Sequence, residues 1–323
     1  MNVTRLKNSR TGVTLCLLFF LTSCCHPRSC LLEPTLCYSP LRKQFELMTS
    51  DFEALTIDED QEEWSKEVKI GISLGKEFDF YRAITCFKRA LVLMPEEANE
   101  RRLQLEFYIV QCYFLGHKYH EAIEAFEFSD LRYATGSFPA FRDLLIMLYE
   151  SYLKTEQCEK AKAVLLLLEK GDPESALELK IFTCLDYGNL PYATIWAENH
   201  PSGDDVAHFN RLYCQCSKSV RKAQLLNAFL PGSGYFYVGQ KKTALTSLVL
   251  NTCFIAAAYY FFDTGNWGAG VFTTSLEFGW YFGGINGAGL AAKEYNECLY
   301  NTLGKELLIK RNLFPVLMLQ TGF

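Results

Sequence analysis

The sequence predicts an all-α protein in two parts, a helical repeat solenoid followed by a two-helix membrane hairpin. Three observations carry this. An Ala-x-x-x-large pattern recurs as Ala83/Phe87, Ala122/Phe126 and Ala161/Leu165, at a constant interval of 39 residues. A fixed period of about 20–50 residues with paired amphipathic helices marks a solenoid, in which each helix pair buries its apolar stripe against the next. Thr243 to Phe262 is a charge-free stretch of 20 residues, the length of one bilayer crossing. Between the two parts lies Pro231-Gly232-Ser233-Gly234, a turn by composition.

The bounds agree. A chain of 323 residues has room for two domains. Its net charge of −5 argues against a nucleic-acid partner, which needs a basic face. Thirteen cysteines are too dispersed for a disulfide scaffold. Cys24, Cys25, Cys30 and Cys37 cluster early, whereas Cys86, Cys112, Cys158 and Cys184 fall at helical core positions, where thiols serve as small hydrophobes.

In chain order, residues 1–23 read as a signal peptide. Arg5, Lys7 and Arg10 form a basic start, and Val13 to Leu21 is an apolar run too short to span a bilayer. Leu21-Thr22-Ser23-Cys24 resembles a bacterial lipobox, which implies lipidation of Cys24. A cleaved signal without lipid and an uncleaved anchor are the alternatives. Residues 24–58, with Pro27, Pro34 and Pro40, read as a tether. The acidic run from Asp51 to Glu63 reads as a solvated helix start, favoured by the helix dipole.

Residues 59–229 hold the repeats. They resemble the tetratricopeptide repeat (TPR) family, through Gly71, Ala83, Phe87, Ala90 and Pro95 in the first unit, Tyr113, Ala122 and Phe126 in the second, and Tyr152, Ala161 and Leu165 in the third. The period exceeds the family's by about five residues, so the turns between units must be longer. A fourth, degenerate unit runs from Ser175 through Pro191 to Glu198, and helices continue from Asp204 to Phe229. The resemblance implies a concave groove that holds a protein or peptide partner. Lys69, Ser73, Gln104, Tyr108, Gln111 and Tyr149 are the candidate groove residues.

Residues 230–297 form the expected hairpin, with Val271 to Ala292 as the second span. Gly279, Gly283 and Gly287 make a ridge without side chains, suited to close packing by another helix. Glu277 is the only charge in that span, and an intramembrane carboxylate marks a functional candidate. Asn251 on the first span is its expected hydrogen-bond partner. Pro231, Gly232, Gly234, Asn251 and Glu277 belong to a pattern resembling a bacterial membrane domain of the Pro-Gly-x-Gly-x-x-Tyr-x-Gly type. Residues 298–323 read as an amphipathic tail helix ending before Pro315.

No catalytic motif is legible, so an enzyme is not expected. Gly232-x-Gly234 lacks the third glycine of a dinucleotide loop, and no phosphate-loop lysine follows a glycine run. Cys214, Cys216, His200 and His208 match no standard zinc spacing. No cofactor, metal or small-molecule substrate is implied. The flanking Arg221, Lys222, Lys241, Lys242 and Lys293 favour a cytoplasmic face for the repeats by the positive-inside rule, and the signal peptide favours the opposite face. The signal is the stronger feature. The expectation is a non-catalytic scaffold anchored in a bacterial cell envelope with periplasmic repeats. The alternative is a membrane domain that assists insertion or transport through Glu277.

Overall fold

The computed structural model describes residues 34–36, 38, 48–95 and 97–323. The expected signal peptide, Cys24 and most of the tether lie outside the described residues. Among the described residues there are helices and no strands. The chain divides into two compact units. One comprises residues 33–217 with 296–323, and the other includes residues 218–295.

The repeat unit is a stack of antiparallel helix pairs: α1 (Glu63–Lys76) with α2 (Phe80–Leu93), α3 (Asn99–Leu115) with α4 (Tyr119–Glu127), α5 (Phe141–Lys154) with α6 (Cys158–Gly171), and α7 (Pro173–Asp186) with α8 (Leu190–Ala197). Helix α9 (Gly203–Cys216) follows. The 39-residue period is visible in the backbone as well as in the side chains. Phe78, His117 and Glu156 each take a left-handed conformation, at φ 63°, 57° and 61°. Each turn is closed by the same bond, from Asp79 N to Leu74 O, Lys118 N to Tyr113 O and Gln157 N to Tyr152 O, at 2.8–2.9 Å. Gly188 repeats the turn in the fourth unit at φ 70°. This is the left-handed helix stop that satisfies the last carbonyls of a helix.

Packing explains the Ala-x-x-x-large pattern. Ala83, Ala122 and Ala161 are buried at the helix contacts, as are Phe87 and Ala90. A methyl group on Gly71 would lie 2.5 Å from the Phe87 ring, so only glycine lets α1 approach that ring. Tyr152 is buried, while Tyr113, Phe126 and Leu165 are half-buried at the edges of the same core. Pro95 is exposed just past α2, and it holds Met94 extended, which ends that helix. Two sequence expectations are corrected. Cys158 is exposed because it opens α6 on its outer face, whereas Cys112 is buried and Cys86 and Cys184 are half-buried. The acidic run is not merely solvated: Glu59 pairs with Arg101 at 2.9 Å.

The second unit contains α10 (Val220–Phe229), α11 (Ser233–Val238), α12 (Lys241–Asp263) and the first part of α13 (Trp267–Lys310). Helix α12 is long and apolar enough to cross a membrane. The expected second span lies within α13, which runs on without a break to Lys310. Gly232 takes φ 92° at the Pro-Gly turn, where its N–H donates to Asn227 Oδ1 at 2.9 Å. Gly234 is a correction. It sits inside α11 and serves close packing, since a methyl there would lie 2.8 Å from Ala288 Cβ.

Beside a small buried cluster of Ala223, Val238, Ala291 and Ala292, the long helices of this unit turn large apolar side chains outward. Phe229, Leu245, Val249, Ile255, Tyr259, Val271 and Phe272 are exposed. Ser247, Asn251, Asn227 and Thr273 are buried.

Candidate functional site

The candidate site is the groove of the repeat unit, and the chain's own last residues fill it. After α13, Asn312 takes a left-handed φ of 54° and stops the helix. Leu313 and Phe314 are buried, and the short helix α14 (Pro315–Met318) follows. Residues 319–323 are then non-helical. Leu319, Thr321 and Phe323 are all buried.

Side chains of the repeats hold the main chain of this segment. Asp143 Oδ2 accepts from Gln320 N and Thr321 N, both at 2.7 Å. Gln111 Nε2 donates to Thr321 O at 2.7 Å. Arg142 Nη1 donates to Met318 O at 2.8 Å, while its other nitrogens hold Asp172 and Ser175. The hydroxyl of Thr321 donates to Asp51 Oδ2 at 2.5 Å. Gly322 N donates to Thr49 O at 2.9 Å. The ring of Phe323 stacks on Phe87 at 6.4 Å and lies 5.6 Å from Tyr108. Gly75 forms the floor of its pocket, where a methyl would lie 3.0 Å from that ring.

Residues 48–56 form the other lining, although the sequence places them in the tether. Phe52 packs on Phe107, Tyr108 and Phe138. Ser50 Oγ shares a hydrogen bond with Tyr108 OH at 2.8 Å. Arg101 donates to Glu53 O at 2.6 Å and to Ala54 O at 2.8 Å. Burying that much main chain requires partners for its polar groups, and Arg101, Gln111, Arg142 and Asp143 supply them.

The electrostatics follow from burial. The Arg101 hydrogen bond holds the Glu59 carboxyl down at about 2. Asp143 moves the other way, because burial raises it against the opposing Thr321 and Gln320 amides and Arg142. Glu150, on α5, is pushed up to about 7 by burial, against the opposing charge of Lys154. Glu150, Lys154, His117 and Tyr119 line a small cavity of about 70 Å³ closed by Phe314 and Pro315.

The second unit carries a separate constellation. Phe262 closes on Gly270, where a methyl would lie 2.7 Å from the ring. At the other end Ala244 meets Gly232, and Ala288 meets Gly234. The same number of residues separates these contacts on α12 and on α13. Asn251 therefore lies within about one helical turn of the level of Glu277. The expected hydrogen bond between them is absent: both carboxylate oxygens of Glu277 and the Oδ1 of Asn251 are buried without a partner. The physical reason is that Asn251 Nδ2 donates instead to Ser247 O, one turn back, at 2.6 Å. The glycine ridge is corrected too. Methyls on Gly279 and Gly283 would meet nothing within 4 Å, whereas Gly287 takes the hydroxyl of Tyr235 against it.

The chain was compared with family models, curated proteins and solved structures, and none of them matches it.

Of the groove residues expected from sequence, the structure brings Gln104, Tyr108 and Gln111 together beneath the two lining segments. Gln104 Nε2 donates to Tyr108 OH at 3.1 Å. Tyr149 is buried at the next helix pair, where its hydroxyl meets Thr183 Oγ1 at 2.8 Å. Lys69 and Ser73 are exposed, and Lys69 is paired with Asp60. The groove residues missed from sequence are Asp51, Phe52, Arg142, Asp143, Thr321 and Phe323. One signal was available: the run from Asn312 to Phe323 carries no charge and is rich in large apolar residues. Among the described residues no group of three or more His, Cys, Asp or Glu is placed to hold a metal ion.

Proposed function

We infer that this chain is a non-catalytic scaffold, anchored to a membrane through residues 218–295, whose TPR-like groove takes a protein or peptide segment. The outward apolar side chains of that unit's long helices are the observation that carries the reading. Leu245, Val249, Ile255 and Phe272 face outward, while Ser247 and Asn251 face inward. Large apolar side chains exposed side by side mark a protein or membrane interface, and α12 has the length for a crossing. Helix α12 and the adjoining part of α13 form the membrane hairpin in this reading. The lipobox-like start and the envelope location belong to the same proposal.

Support for the groove comes from its chemistry. Buried Gln111 and Asp143 and half-buried Arg142 are matched to main-chain groups, a way to hold a segment irrespective of its side chains. The test is fractionation of the full chain. It should stay in the membrane pellet through alkaline carbonate, and the double substitution Val249→Lys with Ile255→Lys should release it. Release of the unaltered protein by carbonate would defeat the reading.

A second reading has its own observation. Both oxygens of Glu277 are buried without a partner, and an ionisable group in that position is a candidate working group in insertion or transport. Glu277→Gln should then abolish the activity of cells that depend on this protein while leaving membrane retention intact. Unchanged activity in that variant would remove the second reading.

A further inference from the structure

Four features of the filled groove go beyond holding the tail in place. The main-chain contacts of residues 318–321 with the repeats run to repeat side chains, and Asp143 reads two successive N–H groups while Gln111 reads the carbonyl that follows. Gly322 sits under the backbone of Met48, where a methyl would lie 2.7 Å from Met48 O, so that station admits glycine alone. The next station is an aromatic pocket floored by Gly75 and walled by Phe87 and Tyr108. The station before it presents Asp51 to a hydroxyl. Together these define a recognition code of hydroxyl residue, glycine, aromatic residue, read on a non-helical, uncharged segment.

We propose that the groove is built to take such a Thr-Gly-aromatic segment from a partner protein, and that residues 319–323 are a built-in competitor that holds the site until the partner displaces them. The proposal rests on the groove reading above and deepens it. Residues 319–323 form no helix, so their departure breaks the side-chain bonds from Asp143, Gln111 and Asp51 and one main-chain bond, Gly322 N to Thr49 O, and empties the sites of Leu319 and Phe323. Asp51, Gln111 and Asp143 then reach water, and the Phe87 and Tyr108 rings are uncovered for the partner's aromatic residue. Arg142 keeps Asp172 and Ser175 when the tail leaves, so the floor stays ordered. Tethering gives the tail an effective concentration on the order of millimolar, which explains how a modest affinity keeps the site closed.

The experiment uses the full chain in detergent micelles and a fluorescent peptide of residues 313–323. The variant Phe323→Asp removes the tail's anchor and leaves every groove residue intact. It should bind the peptide at least about tenfold more tightly than the unaltered protein does. A peptide carrying Gly322→Ala should lose most of that affinity. In the unaltered protein, hydrogen exchange at Gln320, Thr321 and Gly322 should be at least about a hundredfold faster than in the middle of α3 and α5. A folded Phe323→Asp variant that binds no peptide would overturn the proposal and the groove reading with it. Peptide binding by the variant, with tail amides that exchange as slowly as α3, would overturn the competitor and leave the groove reading standing. Unfolding of the variant would also overturn the proposal, because the tail would then be an obligatory part of the core.

Discussion

Phe87 and Asn251 hold corresponding places in their units, each at the buried centre of a helix. Around Phe87 the outward neighbours are Lys88 and Arg89, and the interior is Val68, Ala83 and Tyr108. Around Asn251 the outward neighbours are Leu248, Val249 and Ile255, and the interior includes Ser247. Both are ordinary helices with satisfied backbones, so the difference does not lie in secondary structure. On the proposed function, it lies in the solvent each helix is built to meet. A water-facing stack gains stability by hiding apolar area. A helix in lipid gains nothing from hiding it, and its packing relies on small residues and polar contacts instead.

Stability measurements on the full chain in micelles can break or sharpen this contrast. The largest effect belongs to the repeat core. Phe87→Ala should cost about 3–5 kcal/mol by chemical denaturation, from lost burial and a residual cavity. A loss near zero would mean that the repeats are not a water-type core. Next comes Glu150, a buried carboxyl on α5. Its folded value of about 7 exceeds the ordinary 4.5. Below about pH 4.5 the folded and unfolded chains both keep the proton. As pH rises from there to 7, the unfolded chain releases it first, so stability falls through that window. The loss approaches about 3 kcal/mol by pH 8. Glu150→Gln should flatten this decline, and an unchanged slope in that variant would assign the decline to other groups.

Smaller effects test finer points. His117 holds a left-handed φ of 57°, which a side chain adopts at a cost of about 1 kcal/mol and glycine adopts freely. His117→Gly should therefore stabilise the repeat unit by about 0.5–1 kcal/mol, read as a rise in thermal midpoint. Destabilisation would show that the His117 bond to Tyr119, at 3.0 Å, outweighs the strain. The smallest effect belongs to the outward face of α12. Val249→Ala should change stability in micelles by less than about 0.5 kcal/mol, and a core-sized loss there would place water-type packing where the contrast denies it.

How much of this was legible in the sequence depends on the range of the interaction. Ala83, Ala122 and Ala161 announce helix packing because the contacts they serve repeat locally at a fixed interval. The charge-free run in α12 is likewise local. The turns at Phe78, His117 and Glu156 were harder to read, since each fills with a bulky residue a station that usually carries glycine. The groove's occupant was beyond periodicity altogether. Gln111 and Thr321 are 210 positions apart, and nothing in either neighbourhood names the other. Asp143 and Arg142 carry no local pattern that marks them, because their partners Gln320, Thr321 and Met318 lie 176–178 positions away. The Asn251–Glu277 bond failed for a local reason: an asparagine in a helix can satisfy its own donor on the carbonyl one turn back, and Asn251 does so.

The thiols provide the most direct test of the central claim, that the two units are built for different solvents. Cys158, Cys214 and Cys253 are all exposed on the protein surface, but Cys253 lies in the middle of α12. Permeabilised membranes containing the full chain can be treated with a water-soluble maleimide, and each cysteine scored by mass spectrometry. The prediction is rapid modification of Cys158 and Cys214, with Cys253 protected until the protein is denatured. Modification of Cys253 at the rate of Cys158 would put α12 in water and contradict the account.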